Sequence, residues 1–145
     1  ADARQALVSA AISGITFVPP VLQKTGQPSA QVAQMQVSTV LSPALDCSTL
    51  SPVTCKPQNE EWDPKRQTDT DEVPYCGRIK YHFQHRGPLR FKRSQLRGAP
   101  DIVKSNEWFG SGGAASRRLL VSQRFRQIAV KAKWRGLDFE PVELT

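Results

Sequence analysis

Hydrophobic positions recur at two different periods along this 145-residue chain, and the clearest stretch is Leu120–Leu144. Phe125, Ile128, Ala129 and Ala132 fall at helical spacing and mark one apolar face. Ser122 stands at the N-cap position, where its hydroxyl can accept an orphan N–H of the first turn. Arg124, Lys131 and Arg135 fall on the other faces. Gly136 is expected to stop the helix, because glycine takes the left-handed C′ conformation without a Cβ penalty. Leu137, Phe139 and Val142 then alternate with Asp138 and Glu140 as a short strand that Pro141 disturbs. The remaining chain is expected to pack against this helix–glycine–strand unit.

Upstream, Asp2–Ser13 reads as a helix with Ala6, Leu7, Ala10 and Ala11 on one side, ended by Ser13-Gly14. Ile15–Leu22 reads as a strand that Pro19-Pro20 confines to an edge or breaks. Lys24–Ala30 has turn composition. Gln31–Leu41 places Ala33, Met35, Val37 and Leu41 on one face of a half-buried strand. Ile79, Tyr81 and Phe83 alternate with Lys80 and His82 as another strand. Leu89 and Phe91 alternate with Arg90 and Lys92 after the Gly87-Pro88 turn, and Asp101–Lys104 suggests one more short strand. Gly110–Ser116 reads as a flexible connector. Residues 42–75 are rich in Ser, Pro, Thr, Asp and Glu, without a clear period, and read as one long polar loop. The pattern predicts an α+β fold in a single domain over residues 1–145, a mixed or antiparallel sheet of about five strands with two or more packed helices.

One internal echo stands out. Leu7-Val8-Ser9 followed by Gly14-Ile15-Thr16-Phe17-Val18-Pro19 parallels Leu120-Val121-Ser122 followed by Gly136-Leu137-Asp138-Phe139-Glu140-Pro141. Duplication and convergence on the same helix-stop chemistry account for it equally well.

Charge changes the picture. The chain has a net charge of +7, unevenly spread. Val73–Pro100 and Trp108–Leu137 each hold seven Lys or Arg and no acid, whereas Glu60, Glu61, Asp63, Asp69, Asp71 and Glu72 crowd the stretch from Pro57 to Cys76. A basic body with an acidic insert suits an acidic protein surface, a nucleic acid, or neither, being then a plain solvated surface. The apolar runs are too short to span a bilayer. No signal-peptide pattern opens the chain, and three cysteines without close pairing suit a reducing compartment, so a cytoplasmic setting is expected.

Candidate chemistry is sparse. Cys47, Cys55 and Cys76 with His82 or His85 are weak zinc candidates, because no pair of them forms a Cys-x₂-Cys knuckle. Glu60-Glu61-x-Asp63 supplies paired carboxylates, but in a polar loop rather than a pocket. Asp46-x-Ser48 has no histidine nearby in sequence, and Gly110-Ser111-Gly112-Gly113 lacks the Lys-Ser/Thr of a phosphate-binding loop. No enzyme activity and no cofactor are expected. Arg78–Arg97 interleaves Tyr81, Phe83 and Phe91 with cations, a pattern able to bind single-stranded nucleic acid, although the same aromatics share the parity of Ile79 and Leu89 and so suit a core face.

The closing segment, Leu120-Val121-Ser122-x-Arg124-Phe125 followed by Gly136-Leu137-x-Phe139-Glu140-Pro141-Val142, resembles the carboxyl end of a family of bacterial immunity proteins that accompany polymorphic toxins. That family is related to the myxobacterial proteins named for a doubled Cys-x-x-Cys-Gly motif. Gly14–Pro19, Ala44-Leu45-Asp46-Cys47-Ser48 and Leu96–Ile102 resemble further family segments in the same order. The chain departs from the family in lacking the doubled motif, of which only Cys76-Gly77 stands. The resemblance implies a non-catalytic protein that binds one cognate toxin and blocks it. It implies further that Arg90, Lys92, Arg93, Arg97, Arg124 and Lys131 meet an acidic toxin surface, with Glu60 and Trp62 of the polar loop adding specificity. A basic nucleic-acid-binding module is the alternative.

Overall fold

The computed structural model describes residues 2–53, 78–110 and 114–145 of the chain. The protein is a small single-domain α+β structure, with mixed and antiparallel pairing as the pattern predicts. Among the described residues there are three α-helices: α1 (Ala3–Ser9), α2 (Arg93–Leu96) and α3 (Gln123–Lys131). The strands are β1 (Thr16–Val18), β2 (Gln34–Gln36), β3 (Pro52–Val53), β4 (Lys80–Tyr81), β5 (Leu89–Phe91), β6 (Ile102–Phe109), β7 (Ser116–Val121) and β8 (Val142–Leu144). They are shared among a four-stranded sheet of order β3-β4-β6-β7 and two ribbons, β1-β2 and β5-β8. Only β4/β6 and β5/β8 are parallel.

The organising element is β6, not the final helix. None of its eight residues is exposed, and Ile102, Val103, Ser105 and Phe109 are buried. One edge pairs antiparallel with β7 from Ile102↔Val121 to Phe109↔Ser116. The other edge takes β4 at its C-terminal end. Near its N-terminal end that edge takes the chain at Val40, where Leu41 N donates to Lys104 O and Lys104 N donates to Thr39 O, both at 2.9 Å.

Two apolar clusters sit at opposite ends of this strand. Around Ile102 pack Leu7, Ile12, Val37, Phe125 and Ala129, joined by Phe17, Trp134 and Phe139. Around Phe109 pack Ala44, Leu45, Leu89 and Phe91, joined by Tyr81, Leu96 and Leu120. Phe91 and Phe109 are wholly buried, and each contributes about 2–3 kcal/mol of transfer free energy.

The helices end differently from the pattern-based expectation. Ser122 does cap α3, accepting from Phe125 N at 3.2 Å. Helix α3 then stops at Ala132, four residues before Gly136, through a Schellman turn with Lys133 at φ 53°: Trp134 N donates to Ala129 O and Lys133 N to Val130 O. Helix α1, capped by Asp2, stops at Ala10 with Ala11 at φ 48°, Ile12 N donating to Leu7 O and Ala11 N to Val8 O. The apolar C″ residues Ile12 and Trp134 are pulled into the same cluster, which offsets the cost of a left-handed residue bearing a Cβ. The echo is therefore real in the helix exits, with positive φ at Ala11 and Gly14 and again at Lys133 and Gly136, but Thr16–Val18 is a strand where residues 138–140 lie outside any strand, and the Leu-Val-Ser parts do not correspond. Ser122 caps a helix, whereas Ser9 ends one.

Other differences have plain causes. Strand β7 has no counterpart in the pattern-based expectation: it takes Ser116 from the end of the expected connector and runs to Val121, completing the ladder to β6. Strand β4 keeps only part of the expected alternation: Tyr81 faces the core against Phe109, but Ile79 and Phe83 fall outside the paired residues and are 69% and 42% exposed, while Lys80 is buried on the opposite side beside Trp108. Strand β1 ends before Pro19-Pro20, and β2 is short with Met35 half-exposed. The segment from Leu137 gains strand pairing only after Pro141, where β8 runs parallel to β5. Of the expected polar loop, Ser42–Val53 is built into the fold: Ala44 and Leu45 are buried, Cys47–Thr49 forms a 3₁₀ turn and Pro52–Val53 is β3.

Candidate functional site

Strand β6 carries a bulge between Lys104 and Trp108. Ser105 holds it open: its hydroxyl donates to Glu107 O at 2.9 Å and accepts from Arg118 N at 3.1 Å, replacing ladder bonds that the bulge removes. Past the bulge, Lys80, Trp108 and Arg117 stand in one row across β4, β6 and β7, so their side chains leave the same side of the sheet.

On that side the Trp108 ring receives two guanidinium groups. Arg117 Cζ lies 5.0 Å from the ring centroid and Arg78 Cζ lies 5.4 Å from it. Such stacking is favourable by about 0.5–1 kcal/mol per pair at exposed sites and fixes the long side chains. A half-open cavity of about 510 Å³ adjoins this group, lined by Pro43, Leu45, Cys47, Arg78, Ile79, Tyr81, Asn106, Glu107, Trp108 and Arg117. Beneath this surface Glu107 Oε2, Arg117 Nε and Arg118 Nε are shut off from solvent and have no hydrogen-bond partner among the described residues. A third guanidinium, that of Arg118, stacks on Phe83 and Phe109 and donates to Phe83 O at 2.8 Å.

The Cys47 and Tyr81 side chains hydrogen-bond to each other. That bond, then burial, pushes the Tyr81 phenol up to about 12. Burial pushes the Cys47 thiol up, against the Tyr81 hydrogen bond, and Cys47 Sγ donates to Leu45 O at 3.6 Å. A thiol held protonated is a poor nucleophile and a poor metal ligand. Among the described residues no group of three His, Cys, Asp or Glu side chains is placed to hold a metal ion, and Cys55 and Cys76 lie outside those residues.

The cations expected to bind a partner divide into two sets. Arg90, Lys92, Arg93 and Arg97 follow one another along β5, its exit and α2, and all four are exposed. Backbone bonds pin this corner: Asp46 N donates to Arg90 O, Lys92 N to Ala44 O and Arg93 N to Thr145 O, each at 2.8 Å. Arg90 is also paired with Glu143 on β8, Nε to Oε2 at 2.9 Å, which removes much of its availability. Arg124 leans toward Asp101, at 3.8 Å, and Lys131 stands in the last turn of α3, so these two form a separate set. Glu60 and Trp62 lie outside the described residues. His82 is exposed on the chain leaving β4.

Sequence reasoning missed the Arg78–Trp108–Arg117 group. Arg78 precedes β4, Trp108 lies on β6 and Arg117 on β7, so its members are far apart in sequence and meet only when these strands pair. No family model, no curated protein and no solved structure matches this chain. No helix among the described residues is long and apolar enough to cross a membrane.

Proposed function

We propose that this chain is a non-catalytic binding protein that neutralises a cognate bacterial toxin by covering it. The observation that carries this reading is the rigid basic corner of β5 and α2, where Lys92, Arg93 and Arg97 are exposed while the backbone beneath them is tied to Ala44 and Thr145. Cations held on a fixed frame lose little entropy on association and raise the encounter rate with an acidic surface. Outside Thr54–Gly77 the chain has 17 Lys and Arg against seven Asp and Glu, an excess that favours an acidic partner. The resemblance of Leu120–Val142 to the immunity family supplies the kind of partner.

Exposed Phe83, with the Arg118 guanidinium 5.2 Å from its ring centroid, favours the second reading, a basic module for single-stranded nucleic acid. One experiment decides between them. The full chain is mixed with the toxin encoded beside it and, separately, with random single-stranded DNA and RNA, over a range of salt. A one-to-one toxin complex that survives raised salt, with rescue of growth, is expected. Generic nucleic-acid binding that falls steeply with salt, without a toxin complex, overturns the toxin reading.

A further inference from the structure

We infer that the cleft lined by α2, β7 and β8 receives a large apolar side chain that projects from an acidic surface of a protein partner; this rests on the binding role proposed above and names its anchor point. The cleft is half-open, about 700 Å³ in volume, with apolar walls from Leu96, Val103, Leu120, Phe139, Val142 and Leu144. Val142 and Leu144 are left 41% and 42% exposed. Three observations select the occupant. First, no lining side chain carries a polar atom that is shut off from solvent without a partner, among the described residues. Asp101 already accepts from Ser13 and Ser122, and Glu140 lies toward His85 at 4.0 Å. The hollow therefore favours apolar contact and asks for no polar group, unlike a small-molecule site with its few placed donors and acceptors. Second, the cleft begins where the basic corner ends. Leu96 stands between Arg93 and Arg97, and Leu144 precedes Thr145, whose carbonyl accepts from Arg93 N at 2.8 Å. Arg126 lines the cleft from α3. Arg93, Arg97 and Arg126 are exposed and make no ion pair among the described residues. An apolar hollow bordered by unpaired cations complements an apolar residue flanked by acids, and an anchor buried within a polar rim is where protein interfaces concentrate affinity. A second copy of this chain would set cations against cations. Third, Phe139 is the one ring in the lining, so bases find no row of stacking platforms. The apolar residues also form a hollow, not the protruding face that enters a membrane.

Titrations of the full chain test this. The methyl resonances of Val142 and Leu144, assigned with Val142→Ile and Leu144→Met, are followed as the peptide N-acetyl Glu-Glu-Leu-Phe-Glu-Glu amide is added. The controls are the same peptide with Ser-Ser in place of Leu-Phe, an oligothymidylate, and phosphatidylglycerol vesicles. The Leu-Phe peptide is expected to move both sets of methyl resonances, and the Ser-Ser peptide to leave them in place. Val142→Glu, which puts a charge on the wall, and Ala99→Phe, which narrows the cleft, should each weaken the peptide at least tenfold. Circular dichroism confirms that the variants are folded, and Ala99→Phe, on the loop after α2, serves if Val142→Glu is not. No shift with the Leu-Phe peptide, an equal shift with the Ser-Ser peptide, or a larger one with the oligonucleotide or the vesicles overturns the inference. So do methyl shifts that follow the concentration of the chain alone, which would assign the cleft to a second copy. The same variants are then tested against the adjacent toxin. Val142→Glu should speed dissociation of that complex at least tenfold, whereas Arg126→Glu should chiefly slow its association. A toxin complex indifferent to Val142→Glu and Ala99→Phe sinks the cleft and leaves the toxin reading standing. No toxin complex at all sinks that reading, and the peptide titration still decides the cleft.

Discussion

The Asp101 carboxylate accepts a hydrogen bond from the Ser122 hydroxyl at 2.7 Å, and the same hydroxyl accepts from Phe125 N at 3.2 Å. The other carboxylate oxygen accepts from the backbone N–H and the hydroxyl of Ser13, both at 3.0 Å, and Ser122 N donates to Asp101 O at 2.7 Å. One side chain thus joins the exit of α1, the start of β6 and the cap of α3. This junction is where the two ends of the chain are locked to the central strand.

Replacing Asp101 should therefore cost far more than an average surface substitution. Asp101→Ala is expected to lower the unfolding free energy by about 3 kcal/mol, because three donors lose a charged acceptor. Asp101→Asn, which keeps one acceptor oxygen, should lose about half as much. Urea unfolding with an unchanged slope and a lowered midpoint is the check.

Acid should act through the same residue. Hydrogen bonds from the Ser13 backbone and the Ser122 hydroxyl, aided by the Ser13 hydroxyl and Arg124, hold the Asp101 carboxyl below its usual range. Its folded pKa lies below its unfolded one, so its stabilisation is complete above the unfolded value of about 3.9 and is lost as pH falls through the folded value. The wild-type chain should lose stability over that window, and Asp101→Asn should show a flatter profile there. Equal slopes for the two proteins would contradict the assignment.

The two glycines of the repeated helix exit should respond differently. Gly14 (φ 87°) lies so close to β6 that a Cβ would meet Ile102 O at 2.1 Å, whereas a Cβ on Gly136 (φ 77°) would meet nothing within 4 Å. Gly14→Ala is expected to cost about 3 kcal/mol or more, from clash and strain together, and Gly136→Ala about 1 kcal/mol from strain alone. Thermal melts of the two variants side by side test this.

Ser105→Ala should loosen the bulge that places Glu107 and Trp108. Its hydroxyl is fully buried and serves both Glu107 O and Arg118 N. The loss should be about 1–3 kcal/mol, with faster amide exchange at Arg118.

Charge reversal at Lys92, Arg93 and Arg97 should slow association with the toxin by about tenfold and flatten its salt dependence, leaving dissociation little changed. Arg90→Ala should do much less, because Glu143 already holds that guanidinium. Double-mutant coupling of Arg90 with Glu143 should stay under about 1 kcal/mol, since both side chains are half-exposed. Stopped-flow kinetics on the toxin complex would separate these effects.

Local chemistry in the sequence determined the α+β class, the Ser122 cap, the apolar face of α3 around Phe125 and Ala129, and the inward Leu89 and Phe91 of β5. Each depends on neighbours within a few residues, which a linear pattern records. The central place of β6, the existence of β7 and the burial of Lys80 beside Trp108 were decided by tertiary pairing, which a linear pattern does not record. The helix stops fell at Ala11 and Lys133 rather than at the glycines, because Ile12 and Trp134 gain a buried position by turning there. The Arg78–Trp108–Arg117 group was invisible for the same reason: three strands must pair before its members meet.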